Sequence, residues 1–157
     1  MAPRLATADD VPALVWLINR AYRVEDFFID GDRTHEADVR ERMARPHGCF
    51  VVIDDAPGAL AGAVYVEVRS GRGYFGMLSV DPDRQGRGLG RALVLAAEAH
   101  CRAAGCQVLD IDVVNLRQEL PAFYAAFGFA PHGTAPFPDP LKLRRDAHLV
   151  TMSKPID

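Results

Sequence analysis

Val11, Leu14, Val15 and Ile18 recur at spacings i, i+3, i+4 and i+7, which predicts a helix with one buried apolar stripe. Thr7 to Asp10 supply capping side chains ahead of it, and Asp9 and Asp10 suit the positive end of its dipole. Residues 3–7 fit a short first strand. A second helix is expected from about His35 to Ala44, capped by Thr34 and stopped by Pro46. The period then changes. Cys49 to Ile53 is an apolar run of strand type, Asp54, Asp55, Pro57 and Gly58 make a turn, and Leu60 to Val68 returns as the partner strand. Gly71 and Gly73 turn the chain again into Tyr74 to Val80.

Beyond residue 80 strands alternate with helices. The run Asp81-Pro82-Asp83-Arg84-Gln85-Gly86-Arg87-Gly88-Leu89-Gly90 leads into a helix from about Leu89 to Ala104, ended by Gly105. A strand from Gln107 to Val114 follows, then a helix that starts near Pro121 and ends at Gly128. Phe129 to Thr134 and His148 to Ser153 predict a closing hairpin whose long connection carries Pro136, Pro138 and Pro140. The sum is a mixed α/β domain, antiparallel strands first and then one strand–helix–strand unit. No repeat, linker or low-complexity segment interrupts it, so residues 1–157 read as one domain.

Composition narrows the class. Apolar residues are 49% and charged residues 25%, which excludes a disordered chain or a coiled coil. No apolar run is long enough for a membrane helix, and the first residues lack the features of a secretory signal. Cys49, Cys101 and Cys106 are odd in number and miss the usual zinc spacings, so reduced thiols in a cytoplasmic protein are expected. His35, His47, His100, His132 and His148 are scattered, and no metal is predicted. The net charge of −3 argues against a nucleic-acid partner. Residues 25–55 carry nine carboxylates against four arginines, either an ordinary solvated face or an acidic rim that attracts a cationic substrate.

The candidate chemistry sits in Gln85-Gly86-Arg87-Gly88-Leu89-Gly90, between a strand and a helix. Glycines let the backbone approach a ligand closely, and the unpaired N–H groups of a helix start favour an anion. Arg84, Arg87 and Arg91 add positive charge at the same place, so a pyrophosphate is the natural guest. The P-loop pattern is absent, and a dinucleotide fingerprint would need Gly where Arg91 stands. A glycine-rich turn that binds nothing is the plain alternative.

These residues resemble the GNAT superfamily of acetyl-CoA-dependent N-acetyltransferases. Gln85, Gly88 and Gly90 match its Gln/Arg-x-x-Gly-x-Gly/Ala signature. Leu78 to Pro82 is similar to the family's fourth strand running into that loop, and Asn115 followed by Phe123 to Phe129 is similar to its Asn…Tyr…Gly-Phe segment. The resemblance implies a central, mostly antiparallel sheet of about six to seven strands flanked by about four helices. It implies acetyl-CoA as co-substrate, with Leu78, Ser79 and Val80 along the pantetheine arm and one of their amides polarising the thioester carbonyl. Gln85, Gly86, Arg87, Gly88, Leu89 and Gly90 would hold the pyrophosphate, and Asn115 would contact the cofactor. Tyr124 becomes the proton donor to the departing thiolate, with Phe123 and Phe127 expected on a core-facing stripe beside it.

The general base stays open among Glu25, Glu67, Asp110, Asp112 and His148. Asp110 and Asp112 share one strand face, which would let one carboxylate raise the pKa of the other. The acceptor side maps by resemblance onto about residues 22–34 and 134–146. Glu25, Phe28 and Arg33 are its candidate contacts in the first, an acidic and aromatic segment that suits a cationic amine. Lys142, Arg144 and Arg145 in the second suit a carboxylate. The expected activity is acetyl transfer to a primary amine of a small molecule by direct attack. A protein N-terminus or lysine as acceptor, and a non-catalytic acyl-CoA-binding module, stay as alternatives, and a homodimer is left open.

Overall fold

The computed structural model describes residues 2–157. The first half builds antiparallel strands around two helices: β1 (Arg4–Leu5), α1 (Val11–Ala21), α2 (Glu36–Ala44), β2 (Gly48–Ala56) and β3 (Ala59–Arg69). The second half supplies β4 (Arg72–Val80), α3 (Leu89–Ala103), β5 (Val108–Val114), α4 (Leu120–Ala125), β6 (Ala130–Pro136) and β7 (His148–Pro155). Together the strands form one seven-stranded sheet in the order β1-β2-β3-β4-β5-β7-β6. Neighbours pair antiparallel except β4 with β5, which run parallel, as α3 crosses over between them.

Each face of the sheet buries its own apolar cluster. Val11, Leu14, Leu17 and Ile18 of α1 and Val39 of α2 pack on Phe50, Val52, Ala63 and Met77. On the opposite face Leu93, Val94, Ala97 and Cys101 of α3, with Tyr124 of α4, pack on Val64, Val66, Phe75, Ile111 and Val113. The helical period of one element thus meets the two-residue period of the other, which is what fixes both. α2 is capped by His35, whose Nδ1 accepts from the Asp38 amide at 3.2 Å, while the expected cap Thr34 instead donates its hydroxyl to Asp38 at 2.6 Å. α4 is shorter than expected and gives way to turns before Gly128.

The parallel pair decides the function. β4 and β5 match only at Arg72–Val108, Gly73–Leu109 and Tyr74–Asp110, and then separate. Backbone groups of β4 beyond Tyr74 that face β5 therefore have no strand partner there, and a polar cleft opens inside the sheet. A bulge falls in the same stretch, between the Ala63–Ser79 and Tyr65–Gly76 pairs, with Met77 at a φ of 53°. Bulges re-aim side chains next to sites, and here Phe75 and Met77 end up in the clusters on opposite faces of the sheet.

Candidate functional site

The separation of β4 from β5 opens a cavity of about 1180 Å³ that runs from the α3 N-terminus to the segment after α1. At one end lie Arg84, Gln85, Gly86, Gly88, Leu89, Gly90 and Arg91. Gly86 and Gly88 have φ of 80° and 76°, so the loop needs their left-handed backbone, and Gly88 directly caps α3. The first N–H groups of this 15-residue helix open into the cavity, where its dipole favours an anion. Arg84 is anchored to Asp55 at 2.6 Å, and its Nε is buried without a partner among the described residues. This end fits a pyrophosphate.

Leu78 and Val80 line the middle of the cavity. Ser79 does not. Its hydroxyl is buried and donates to the Met77 carbonyl at 3.0 Å, so any contact with a ligand has to come from its backbone. Arg87 is exposed and does not line the cavity. Asn115 also falls outside the lining; its Oδ1 accepts from the His148 amide at 2.9 Å and pins the start of β7 to the end of β5. Its placement is that of a residue holding the cleft wall.

Tyr124 enters the cavity from α4, packed by Phe75, Phe123 and Phe129 at ring distances of 5.9, 5.0 and 5.9 Å. Burial pushes its phenol well above the usual value, with Tyr22 and Tyr74 adding to the effect and Arg117 opposing it. The expected core-facing stripe holds for Phe127, which packs against the core, and fails for Phe123. Tyr124 is the residue held in the core, whereas Phe123 is exposed at the cavity wall beside Gly90, because the short α4 turns that face toward the cleft.

At the far end Tyr22, Glu25, Arg33, Tyr74, Asp112 and Arg117 line the cavity. Glu25 is no free acceptor for a cationic amine, because Arg117 donates to it at 2.9 Å; burial still raises its carboxyl above the usual range. The other acidic residues of this segment are answered in the same way, Asp30 by Arg144, Asp38 by Arg42 and Asp55 by Arg84. The acidic rim read from composition is thus largely neutralised, by arginines one helical turn away at Glu36, Asp38 and Glu41 and by distant ones at Glu25, Asp30, Asp54 and Asp55. Phe28 is fully buried and outside the lining, so it supports the wall without facing the cleft. Arg33 does line it and stacks over the Tyr22 ring at 5.2 Å. Tyr22 is driven up to about 12 by burial, against the pull of Arg33.

Of the five candidate bases only Glu25 and Asp112 reach the cavity. Glu67 is locked by Tyr65, Arg69 and Arg45. Asp110 is gripped by Arg72 at 2.7 Å through both oxygens and is lowered, despite partial burial, by Arg72 and Ser153. Asp112 is raised mainly by burial, with Asp110 a lesser contributor behind the opposing Arg69. His148 lies exposed at the start of β7. Arg117 and Tyr74 were absent from the expected site. Arg117 was hidden because a single charge after a strand carries no local signal, and its partner is 92 positions away.

Among the described residues no cluster of His, Cys, Asp and Glu is placed to hold a metal ion, and no helix is long and apolar enough to cross a membrane. A mixed sheet split between two parallel strands, with a glycine-rich helix start on one bank and a buried tyrosine on the other, defines an acyl-CoA-type N-acyltransferase fold. The model of the acetyltransferase (GNAT) family matches residues 12–129, and the chain belongs to that family. It is 36% identical over 101 residues to a mycothiol acetyltransferase of Propionibacterium freudenreichii, covering 59% of this chain and 32% of that protein. This chain spans about a third of the length of the mycothiol acetyltransferases it matches. An IAA acetyltransferase of Azospirillum brasilense is 29% identical over 147 residues, covering 90% of this chain and 95% of that one. The ribosomal-protein-S18-alanine N-acetyltransferase of Escherichia coli shares the fold with a TM-score of 0.78 at 19% identity, over 99% of this chain and 94% of its own.

Proposed function

We propose that residues 1–157 form one acyltransferase domain that moves an acetyl group from acetyl-CoA to a primary amine of a small molecule. The observation that carries this reading is the continuity of one cavity from the glycine loop, past Tyr124, to the Tyr22–Arg33 segment. Donor and acceptor can therefore meet without a covalent enzyme intermediate. Cys101 and Cys106 are buried, and burial raises the thiols of Cys49 and Cys101, which is the opposite of what a nucleophile needs.

Acetyl-CoA supplies the activated thioester. Its pyrophosphate would be held by the amides from Gln85 to Gly90, with Arg84 and Arg91 beside them. Those β4 amides between Leu78 and Val80 that face the split, and so have no β5 partner, would bind the pantetheine arm and polarise the thioester carbonyl. The amine nitrogen attacks that carbonyl carbon, the C–N bond forms, the C–S bond breaks, and the sulfur leaves with the electron pair. The proton released by the amine passes to Asp112 or to water. Tyr124 stays a phenol because burial disfavours its anion. Complete transfer of its proton to a thiolate of pKa about 8.5 runs uphill, so its role is a hydrogen bond to the charge growing on sulfur.

A small acceptor is favoured over a protein chain by the roof at the acceptor end. There Ile29 bridges to Leu143, and Asp30 donates to the Lys142 carbonyl at 2.8 Å. Acetyl-CoA binding measured by calorimetry, wild type beside Gly90→Glu, tests the reading. A Cβ at Gly90 meets nothing closer than 3.7 Å and its φ is not left-handed, so a side chain can start there without a clash or backbone strain. Binding lost in the variant supports the cofactor site. A folded wild type that binds no acetyl-CoA overturns it.

A further inference from the structure

Two loops close the acceptor end, and their junction sets its chemistry. The Ile29–Leu143 bridge is flanked by hydrogen bonds from Asp30 N to Lys142 O and from Arg144 N to Phe28 O, each 2.8 Å. This ladder aligns residues 28–30 with 142–144 and brings Lys142 back over the first loop, where its Nζ donates to the Asp32 carbonyl at 3.3 Å. Lys142 thereby stands against the residue that precedes Arg33. Both side chains are half-buried on the cavity wall.

The other cations at this end are already matched. Arg42 holds Asp38 at 3.2 Å, Arg117 holds Glu25 and Glu119 at 2.9 Å each, and Arg23 holds Asp32 at 2.5 Å. Outside the cavity lining, Arg144 is taken by Asp30, and Arg145 lies over the Phe27 ring. Among the described residues Arg33 and Lys142 make no ion pair, and neither do the cavity carboxylates Asp112 and Asp139. Arg33 is attracted by Glu25 and Asp38 but touches neither, and Lys142 meets a carbonyl and no carboxylate; partly desolvated cations left without a contacting counter-charge are costly to hold unless a ligand supplies one. Asp112 sits on β5 two residues past the last β4–β5 pair, on the bank of the split, whereas Lys142 follows Asp139 in the turn that the Ile29–Leu143 bridge ties to the loop carrying Arg33.

We infer that the acceptor is a zwitterion, an amine that also carries a carboxylate, with the carboxylate held by Arg33 and Lys142 and the amine end toward Asp112. The inference rests on the acetyltransferase reading. A polyamine would place an ammonium against Arg33 and Lys142 and be repelled. A peptide N-terminus offers no carboxylate at a fixed distance from its amine.

The test uses amines matched in carbon skeleton: amino acids, their carboxamides and their decarboxylated counterparts, with turnover read as thiol release. The carboxylate forms should be preferred in kcat/KM. Arg33→Gln and Lys142→Met should each cut that preference about ten- to hundredfold, since a charged hydrogen bond contributes that much. The loss should fall on KM rather than kcat, and acetyl-CoA affinity by calorimetry should stay unchanged in both variants. Carboxamides or decarboxylated amines used equally well, or a preference that survives both substitutions, would overturn the inference. So would no turnover of any matched set while acetyl-CoA binds, which leaves the cofactor reading standing. Absence of acetyl-CoA binding to the wild type removes both.

Discussion

Arg117 and Glu25, 92 positions apart, meet through Nη1 and Oε2 at 2.9 Å on the cavity floor, with both side chains largely buried. The pair ties the loop after β5 to the turn after α1, so the acceptor end closes only when both halves of the chain are in place. Removing one member leaves the other as an unmatched buried charge, which costs about 3–5 kcal/mol. Arg117→Met should show that loss near neutral pH. Burial already raises Glu25, and loss of Arg117 raises it further. Below the unfolded carboxylate value of about 4.3 Glu25 is protonated in both states and the charge penalty vanishes. As pH rises past that value the unfolded chain ionises first, and the variant loses stability relative to wild type. Thermal unfolding from pH 4 to 8 checks this; a deficit of constant size across that range contradicts it.

Tyr124→Phe removes the hydroxyl and keeps the ring contacts with Phe75, Phe123 and Phe129. Turnover should fall by about a hundredfold or more, the usual loss for a positioned donor, with little change in acetyl-CoA affinity. Burial also keeps the phenol protonated above its ordinary pKa of about 10, so the wild-type rate should show no alkaline fall from this residue below that pH. Steady-state rates and calorimetry on the same preparations decide it. Unchanged turnover would reduce Tyr124 to a packing residue.

Glu67 gives the opposite pH signature. Burial alone would raise its carboxyl, but hydrogen bonds from Tyr65 and Arg69, with Arg45 at 3.3 Å, hold it down to about 2. A depressed folded pKa adds stability that is fully present above the unfolded value of about 4.3 and fades as pH falls toward the folded one. Glu67→Gln should therefore be less stable than wild type at neutral pH by on the order of 2 kcal/mol. The gap should close between about pH 4.5 and 2. Denaturant melts at pH 7, 4 and 3 measure it, and an unchanging gap would show that packing, rather than charge, is what the carboxylate provides.

Local pattern carried the elements and the glycine loop because both are written within a few residues: the stripe at Val11, Leu14 and Ile18, the alternation along β4, and Gly86 and Gly88 with their left-handed backbone. It did not carry what depends on partners far away. Glu25 read as a free carboxylate because its arginine stands at 117. Lys142, Arg144 and Arg145 read as equivalent until the Ile29–Leu143 bridge turned the first inward and left the other two outside. Asn115 read as a ligand contact, but the β5–β7 pairing supplies it with the His148 amide. Phe127 packs on the core as its spacing suggests, but Phe123 and Tyr124 exchange exposed and buried places because α4 is too short for a helical period to order them.

The width of the cleft itself should respond to one methyl group. Gly73 lies at the centre of the three pairs that join β4 to β5, opposite Leu109. A Cβ there would come within 2.5 Å of Cys101 Sγ, 2.7 Å of its Cβ and 3.2 Å of Leu109 Cδ1, all inside the α3-side core. Cys101 Cβ is fixed to the α3 backbone and cannot rotate away, so the strands or α3 must shift. Gly73→Ala should cost about 1–3 kcal/mol as overpacking and move the point at which the sheet divides. Acetyl-CoA affinity should then fall, although Gly73 is outside the cavity lining. Cys101→Ala in the Gly73→Ala background removes the Sγ clash and should restore part of both losses. Melting and calorimetry on the two variants provide the check: affinity that stays at the wild-type level while stability drops would show that the strand pairing and the cleft are not mechanically linked.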